Sequence, residues 1–215
     1  MNWNDLFKNK ENRWLEPAQL VLDSIELFKN EGVQNILDLG CGCGRNIIPY
    51  LKTGFTVSAS DISEVAITSA KSYVLEVCPT HEVLFEKCCM TQLLFKDNSF
   101  DAVVSISVIN HGLKHDVLKA ISEINRVLKH DGFLLLTVIS KEHIKYGSGQ
   151  LVENDTYITD KGLDAGIPHH FMDELILENY LTQSGFYIEV MKKCGIKEIG
   201  GINNGHLYVL EKKVN

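Results

Sequence analysis

The sequence predicts a doubly wound α/β domain on a seven-stranded, mostly parallel sheet that ends in a C-terminal antiparallel hairpin. Three observations carry this expectation. Short apolar runs alternate with segments of helical period from residue 17 to residue 140, the rhythm of β-α-β units whose sheet is covered on both faces. The first of those runs stops at a glycine-rich turn, LDLGCGCGRN at 37–46, and the second stops at an acid, Asp61. Beyond residue 185 two further runs, FYIEVMKK and HLYVLEKK, flank a turn containing Gly200, Gly201 and Gly205, which reads as a hairpin.

In chain order, PAQLVLDSIELFKN at 17–30 spaces Leu20, Val21, Ile25, Leu27 and Phe28 on a helical period, with Pro17 suited to the first turn. VQNILDL at 33–39 is a short buried strand. RNIIPYLK then reads as a helix that must hold Pro49 in its first turn or bend there, and Gly54 ends it. FTVSASD at 55–61 is the second strand, and Ser63 caps a helix with Val65, Ala66, Ser69, Ala70 and Tyr73 on one side. VLFEKCC at 83–89 and FDAVVSISVI at 100–109 are the third and fourth strands, VLKAISEINRVLKH at 117–130 a helix, and GFLLLTVIS at 132–140 the fifth strand. Residues 141–168 exceed an ordinary connection of about four to six residues, so 141–170 is read as a substrate-loop insertion. A helix over about 171–184 ends at Gly185.

The 215 residues suit a single domain, 1–215, with residues 1–32 as an N-terminal helical segment. A net charge of −7 without a Lys/Arg run leaves no electrostatic footprint for nucleic acid. No apolar run approaches the roughly 18–20 residues of a membrane span, and the first residues lack the apolar core of a signal peptide. The expectation is a cytoplasmic protein with reduced thiols and no membrane partner.

Gly40, Gly42 and Gly44 let the backbone turn sharply and approach a ligand beyond the first strand. The dinucleotide spacing G-x-G-x-x-G is not met, because the sixth position is Arg45 counted from Gly40 and Ile47 counted from Gly42. Asp61 stands where an acid receives the hydroxyls of a ribose. Cys41 and Cys43 are small residues between glycines, since C-x-C and the C-C of Cys88 and Cys89 lack the spacing of zinc pairs; no metal is expected.

LDLGCGCGRN and VSASDIS resemble motifs I and II of the class I S-adenosylmethionine-dependent methyltransferases. MTQLLFKDNSFDAVVS is similar to the segment that follows the third strand of that family and enters the fourth, and INRVLKHDGFLLLT to the approach to the fifth. The resemblance covers most of residues 33–140 and implies a Rossmann-like methyltransferase fold with S-adenosylmethionine as cofactor. It further implies that Asp38, Gly40, Gly42 and Gly44 border the methionine part, Asp61 holds the ribose and Ile62 packs on adenine. Cys89 and Met90 would lie beside adenine, and Ser105 near the amino-acid end. Cys89 stands where an aspartate is frequent. A thiol is a weak acceptor, so the bond to the adenine amino group is weakened or supplied by a neighbour such as Gln92.

Methyl transfer needs chiefly an aligned nucleophile and, where that nucleophile is protonated, a proton acceptor. The resemblance therefore implies a small-molecule methyl acceptor. His111, in SVINHG, reads as a base or orienting group, or else as a cap of the next segment. His170, adjacent to His169 in IPHHF, and Tyr157 are the other candidates for the acceptor pocket. Trp3, Arg13 and Trp14 suggest a lid over the cofactor. Three other readings remain: a protein methyltransferase, a metalloid (arsenite-like) methyltransferase, or a non-catalytic cofactor-binding module.

Overall fold

Ile36, Leu37 and Leu39 of strand β1 (Asn35–Leu39) are buried on both faces, which places this strand at the centre of a covered sheet. The computed structural model of the protein describes residues 3–9, 14–188, 191–198 and 201–213. Strand β1 pairs in parallel with β2 (Thr56–Asp61) on one side and β4 (Phe100–Ile106) on the other. Strand β3 (Leu84–Lys87) extends the sheet beyond β2, and β5 (Leu128–Ile139) extends it beyond β4. Strand β10 (Gly201–Lys212) runs antiparallel to both β5 and β9 (Met191–Glu198). The order is β3-β2-β1-β4-β5-β10-β9, so the α/β class, the doubly wound sheet and the C-terminal antiparallel pair are as expected. Strand order reverses between β1 and β4, and ligands collect at such a point.

Alternation along the strands divides the core in two. Leu37, Val103, Leu134 and Leu136 face helices α5 (Lys114–Val127) and α6 (Glu174–Gln183). Ile36, Val104 and Leu135 face α2 (Gln19–Asn30), α3 (Ile47–Lys52) and α4 (Glu64–Val77) through Phe28, Tyr50 and Ala70. Pro49 sits in the first turn of α3, where its missing N–H costs no intrahelical bond. Ser63 caps α4 by accepting from Ala66 N at 3.2 Å. Helix α5 starts at Lys114 rather than 117 because Asp116 Oδ2 accepts from Leu113 N at 2.9 Å. It stops at Val127, where Leu128 begins to pair with Phe100.

Further differences from the sequence reading bear on the site. β3 ends at Lys87, so Cys88 and Cys89 lie beyond it and do not alternate on a strand. The strand expected over 186–193 begins at Met191, with 189 and 190, like Gly200 in the turn, outside the described residues. Residues 141–170 are not a bare loop. They contain a three-stranded antiparallel sheet of β6 (Gln150–Glu153), β7 (Thr156–Ile158) and β8 (Pro168–His170). The β6–β7 turn is Asn154-Asp155, with Asp155 at φ 60°, a conformation that Asn and Asp tolerate in tight hairpins. Lys141 anchors this turn to the start of α6 through Asp155 (2.9 Å) and Asp173 (3.1 Å).

Candidate active site

Beyond the C-terminal ends of β1, β2 and β4 lies a cavity of about 490 Å³, the size of a site for a drug-sized ligand. Its floor is the turn after β1. Gly40 adopts φ 73°, and a Cβ there would fall 2.4 Å from Val108 Cγ2, so only glycine lets β1 pass the exit of β4. Gly40 N and Cys41 N both donate to Ser60 O, at 2.8 and 2.9 Å, which ties the turn to β2. Gly42 lines the cavity, whereas Gly44 does not; a Cβ on Gly44 would lie 3.1 Å from Ala70 Cβ, so that glycine serves the packing of α4.

Asp61 closes the turn from the other side. Its Oδ2 accepts from Gly42 N (2.9 Å) and its Oδ1 from Ser63 N (2.8 Å), and a carboxylate so held can still accept from further donors. Burial raises its pKa, and the N–H groups of Ser63, Gly42 and Ile62 oppose the rise. Asp38 is buried beneath the turn and does not line the cavity. Burial pushes its carboxyl up to about 7, with Arg45 pulling it down and Asp61 pushing it up, and its Oδ2 has no partner.

Ile62, Cys88, Cys89 and Met90 form an adjoining wall. Cys89 Sγ accepts from Thr91 Oγ1 at 3.1 Å, while Gln92 is exposed and outside the lining. Ser105 is fully buried within β4, with its Oγ unpartnered, and does not reach the cavity. Ser107 does line it, at φ 58°, with its N–H donating to Thr137 Oγ1 at 2.9 Å. Cys41 and Cys43 are buried at the floor, and burial, then the charges of Asp38 and Asp61, push the Cys41 thiol well up. Among the described residues, the one grouping of three potential metal ligands contains no cysteine.

The far end is built from His111, Lys145 and Asp164. His111 Nδ1 contacts Val108 O at 3.1 Å; a carbonyl only accepts, so Nδ1 carries the proton and Nε2 the lone pair. Burial, then the neighbouring His169, lower the His111 pKa to about 3. Asp164 Oδ2 takes Lys145 Nζ at 2.6 Å and His169 Nε2 at 2.9 Å. Burial alone would raise the Asp164 pKa, but these two partners hold it well below the usual carboxylate range.

Two acceptor-side candidates lie elsewhere. Along β8 successive side chains point to opposite faces: His169 turns to Asp164, and His170 turns away to Thr156 Oγ1 (2.7 Å) and Tyr180 OH (3.2 Å). Tyr157 packs against Tyr146 and Phe171, with ring centroids 5.5 and 5.9 Å away, and is not part of the lining. Lys145, Asp164 and Ser107 line the cavity without having been singled out by sequence, and His169 supports it from behind. The signal for His169 was the period of two in a short strand.

The N-terminal segment covers the floor. Helix α1 (Trp3–Lys8) packs on α4, and Trp3, Leu6, Phe7 and Trp14 line the cavity. Asn4 Oδ1 accepts from Ser63 Oγ at 2.8 Å, and the edge of Trp3 meets His111 at 4.9 Å between centroids. Trp14 Nε1 is buried without a partner. Arg13 lies outside the described residues.

Residues 37–136 match the family model described as "Methyltransferase domain". A ubiquinone biosynthesis O-methyltransferase of Caulobacter is 35% identical over 82 residues, 38% of this chain and 31% of that protein. An uncharacterized protein of Methanocaldococcus jannaschii is 32% identical over 128 residues, 59% of this chain and 52% of that one. The chain thus spans about half or less of the length of these curated relatives. Among solved structures, a SAM-dependent methyltransferase of Methanosarcina mazei superposes with a TM-score of 0.74 at 22% identity, covering 84% of this chain and 92% of that one.

Proposed function

We propose that the protein is a class I S-adenosylmethionine-dependent methyltransferase that transfers a methyl group to a small-molecule nucleophile by in-line displacement, a reading supported by the match of residues 37–136 to the methyltransferase-domain family model. One observation carries the proposal: a single cavity joins a ribose-type acid, Asp61, to an imidazole with a fixed lone pair, His111. The residues present fit S-adenosylmethionine. Ile62 and Met90 offer apolar surface for adenine, and Asp61 offers acceptors for the ribose. Trp14 Nε1, a donor on the cavity lining, is buried without a partner, complementary to the carboxylate of a methionine moiety.

When bound, the cofactor supplies a methyl group already activated on a positive sulfur. The remaining work belongs to this chain. His111, Lys145 and Asp164 orient the acceptor, which converts binding energy into alignment; with its pKa lowered to about 3, His111 stays neutral and its Nε2 accepts a hydrogen bond from the acceptor. Trp3, Leu6 and Phe7 keep water from the cavity. This cover favours a small acceptor over a protein side chain, and no described helix is long and apolar enough to cross a membrane.

The test is a screen of metabolite fractions for transfer of label from methyl-labelled cofactor. Label in a low-mass product is expected; label confined to macromolecules contradicts the reading. With the acceptor in hand, His111→Ala is expected to lower kcat by about 100-fold through lost alignment while leaving S-adenosylhomocysteine affinity near wild type. Trp3→Ala and Trp14→Ala are each expected to weaken that affinity by about tenfold or more, from lost apolar contact, with little change in Tm. Equal affinities by calorimetry would remove the lid.

A further inference from the structure

We infer that His111, Asp164 and His169 form a binding site for a divalent first-row transition-metal ion at the acceptor end of the cavity, where the ion holds the acceptor by its nucleophilic atom. The ion site stands on geometry; its role toward the acceptor rests on the methyl-transfer reading. One ligand atom from each of the three residues lies within 4.8 Å of the other two, a span that a small inward shift closes onto one ion.

Both imidazoles are prepared for this in the same way. Nδ1 of His111 donates to Val108 O (3.1 Å), and Nδ1 of His169 donates to Ile167 O (3.0 Å). A histidine that ligates a metal through one nitrogen characteristically gives its other N–H to a carbonyl or carboxylate, and here Nε2 of each ring remains for the ion, that of His169 now lying 2.9 Å from Asp164 Oδ2. Asp164 supplies the third donor. Its Oδ2 is engaged by Lys145 and His169, whereas its Oδ1 is buried and has no partner, a costly state for a carboxylate oxygen. An ion pair accounts for Oδ2 and leaves Oδ1 without a partner, so the carboxylate keeps acceptor capacity for an ion. Lys145, on the opposite oxygen, orients the carboxylate as an outer partner.

Proton balance is simple. His169 Nε2 lies 2.9 Å from Asp164 Oδ2, so one proton is shared across that contact. The incoming ion takes the place of that proton, which leaves to solvent. Two imidazoles and one carboxylate suit Zn²⁺, Co²⁺, Fe²⁺ or Ni²⁺ better than Mg²⁺ or Ca²⁺, which favour all-oxygen sets. Three protein ligands leave a coordination position toward the cavity. An acceptor oxygen or nitrogen bound there would give up its proton to solvent more readily on binding, so His111 acts on the acceptor through the ion. Loss of turnover in His111→Ala is common to both schemes, and metal uptake separates them.

The experiment titrates the full chain, stripped with chelator, with Co²⁺ and follows visible ligand-field absorbance and equilibrium dialysis. Stoichiometric uptake, reversed by Zn²⁺, is expected. His169→Ala and the near-isosteric Asp164→Asn should each weaken uptake by more than about 100-fold, beyond the roughly 10- to 100-fold loss typical of an outer partner, with S-adenosylhomocysteine affinity retained as proof of folding. In crystals soaked with Co²⁺, the anomalous-difference peak should be bonded to His111, Asp164 and His169. A wild-type protein that binds S-adenosylhomocysteine but takes up no stoichiometric Co²⁺ overturns the site, as does undiminished uptake in both variants or a peak elsewhere. Wild-type protein that takes up Co²⁺ at these residues but binds no S-adenosylhomocysteine keeps the ion site and rejects the methyl-transfer reading.

Discussion

Asp61→Ala is expected to weaken S-adenosylhomocysteine binding by at least about 100-fold. A hydrogen bond to a charged group is worth roughly 1.5–3 kcal/mol, so two ribose hydroxyls on this carboxylate contribute about 3–6 kcal/mol, or 10²- to 10⁴-fold in Kd. The variant should stay folded, because two effects oppose each other. It leaves Gly42 N and Ser63 N without their acceptor, and it also removes a carboxylate whose burial is unfavourable enough to raise its pKa. Asp61→Asn, which keeps one side-chain acceptor, should fall between wild type and alanine. Calorimetry on protein of confirmed Tm decides the matter, and an affinity equal to wild type would withdraw the ribose role from Asp61.

Gly40→Ala should damage both fold and binding. A non-glycine residue at φ 73° costs about 1–2 kcal/mol, and the added Cβ would lie 2.4 Å from Val108 Cγ2, inside any tolerable contact. Relief requires the exit of β4 to move, and that exit carries Ser107 and Val108, which both line the cavity. A destabilisation of about 2–4 kcal/mol is expected, a fall in Tm of roughly 5–12 °C for a chain of this size, together with loss of detectable cofactor binding. Pairing the change with Val108→Ala should restore part of the stability, because it relieves the contact and leaves the backbone strain. Gly44→Ala provides the contrast: its Cβ would meet Ala70 at 3.1 Å, away from the cavity, so Tm should fall with a smaller effect on affinity. A Gly40→Ala protein with unaltered Tm and affinity would show that β4 does not constrain the turn.

The glycine turn and Asp61 at the floor of the cavity were legible because they are local to two strand ends. The unbroken apolar runs through Ile36, Leu37 and the leucines 134–136 give a sheet covered on both faces, and the ends of its first two strands then carry the glycine turn and Asp61. The acceptor end was not legible in the same way, because His111, Lys145, Asp164 and His169 come from three separate segments that no local pattern couples. Within it, a one-residue choice in a three-residue strand decides which imidazole faces Asp164, and the sequence reading chose His170 where the fold presents His169. Ser105 and Ser107 pose the same problem: the residue inside the strand is sealed in the core, and the one that turns out at positive φ meets the cavity. The small sheet within 141–170 did carry a signal in Asn154-Asp155 between two strand-like runs, though its β8 partner follows only after a further nine residues.

The most direct test is a crystal structure of the protein with S-adenosylhomocysteine. The ribose hydroxyls should lie on Asp61, adenine between Ile62 and Met90, and the sulfur on the side of His111, Lys145 and Asp164, beneath Trp3 and Trp14. A ligand seated in the recess of Lys114, His170 and Tyr180, or one in the main cavity with its sulfur turned away from His111, would contradict this placement.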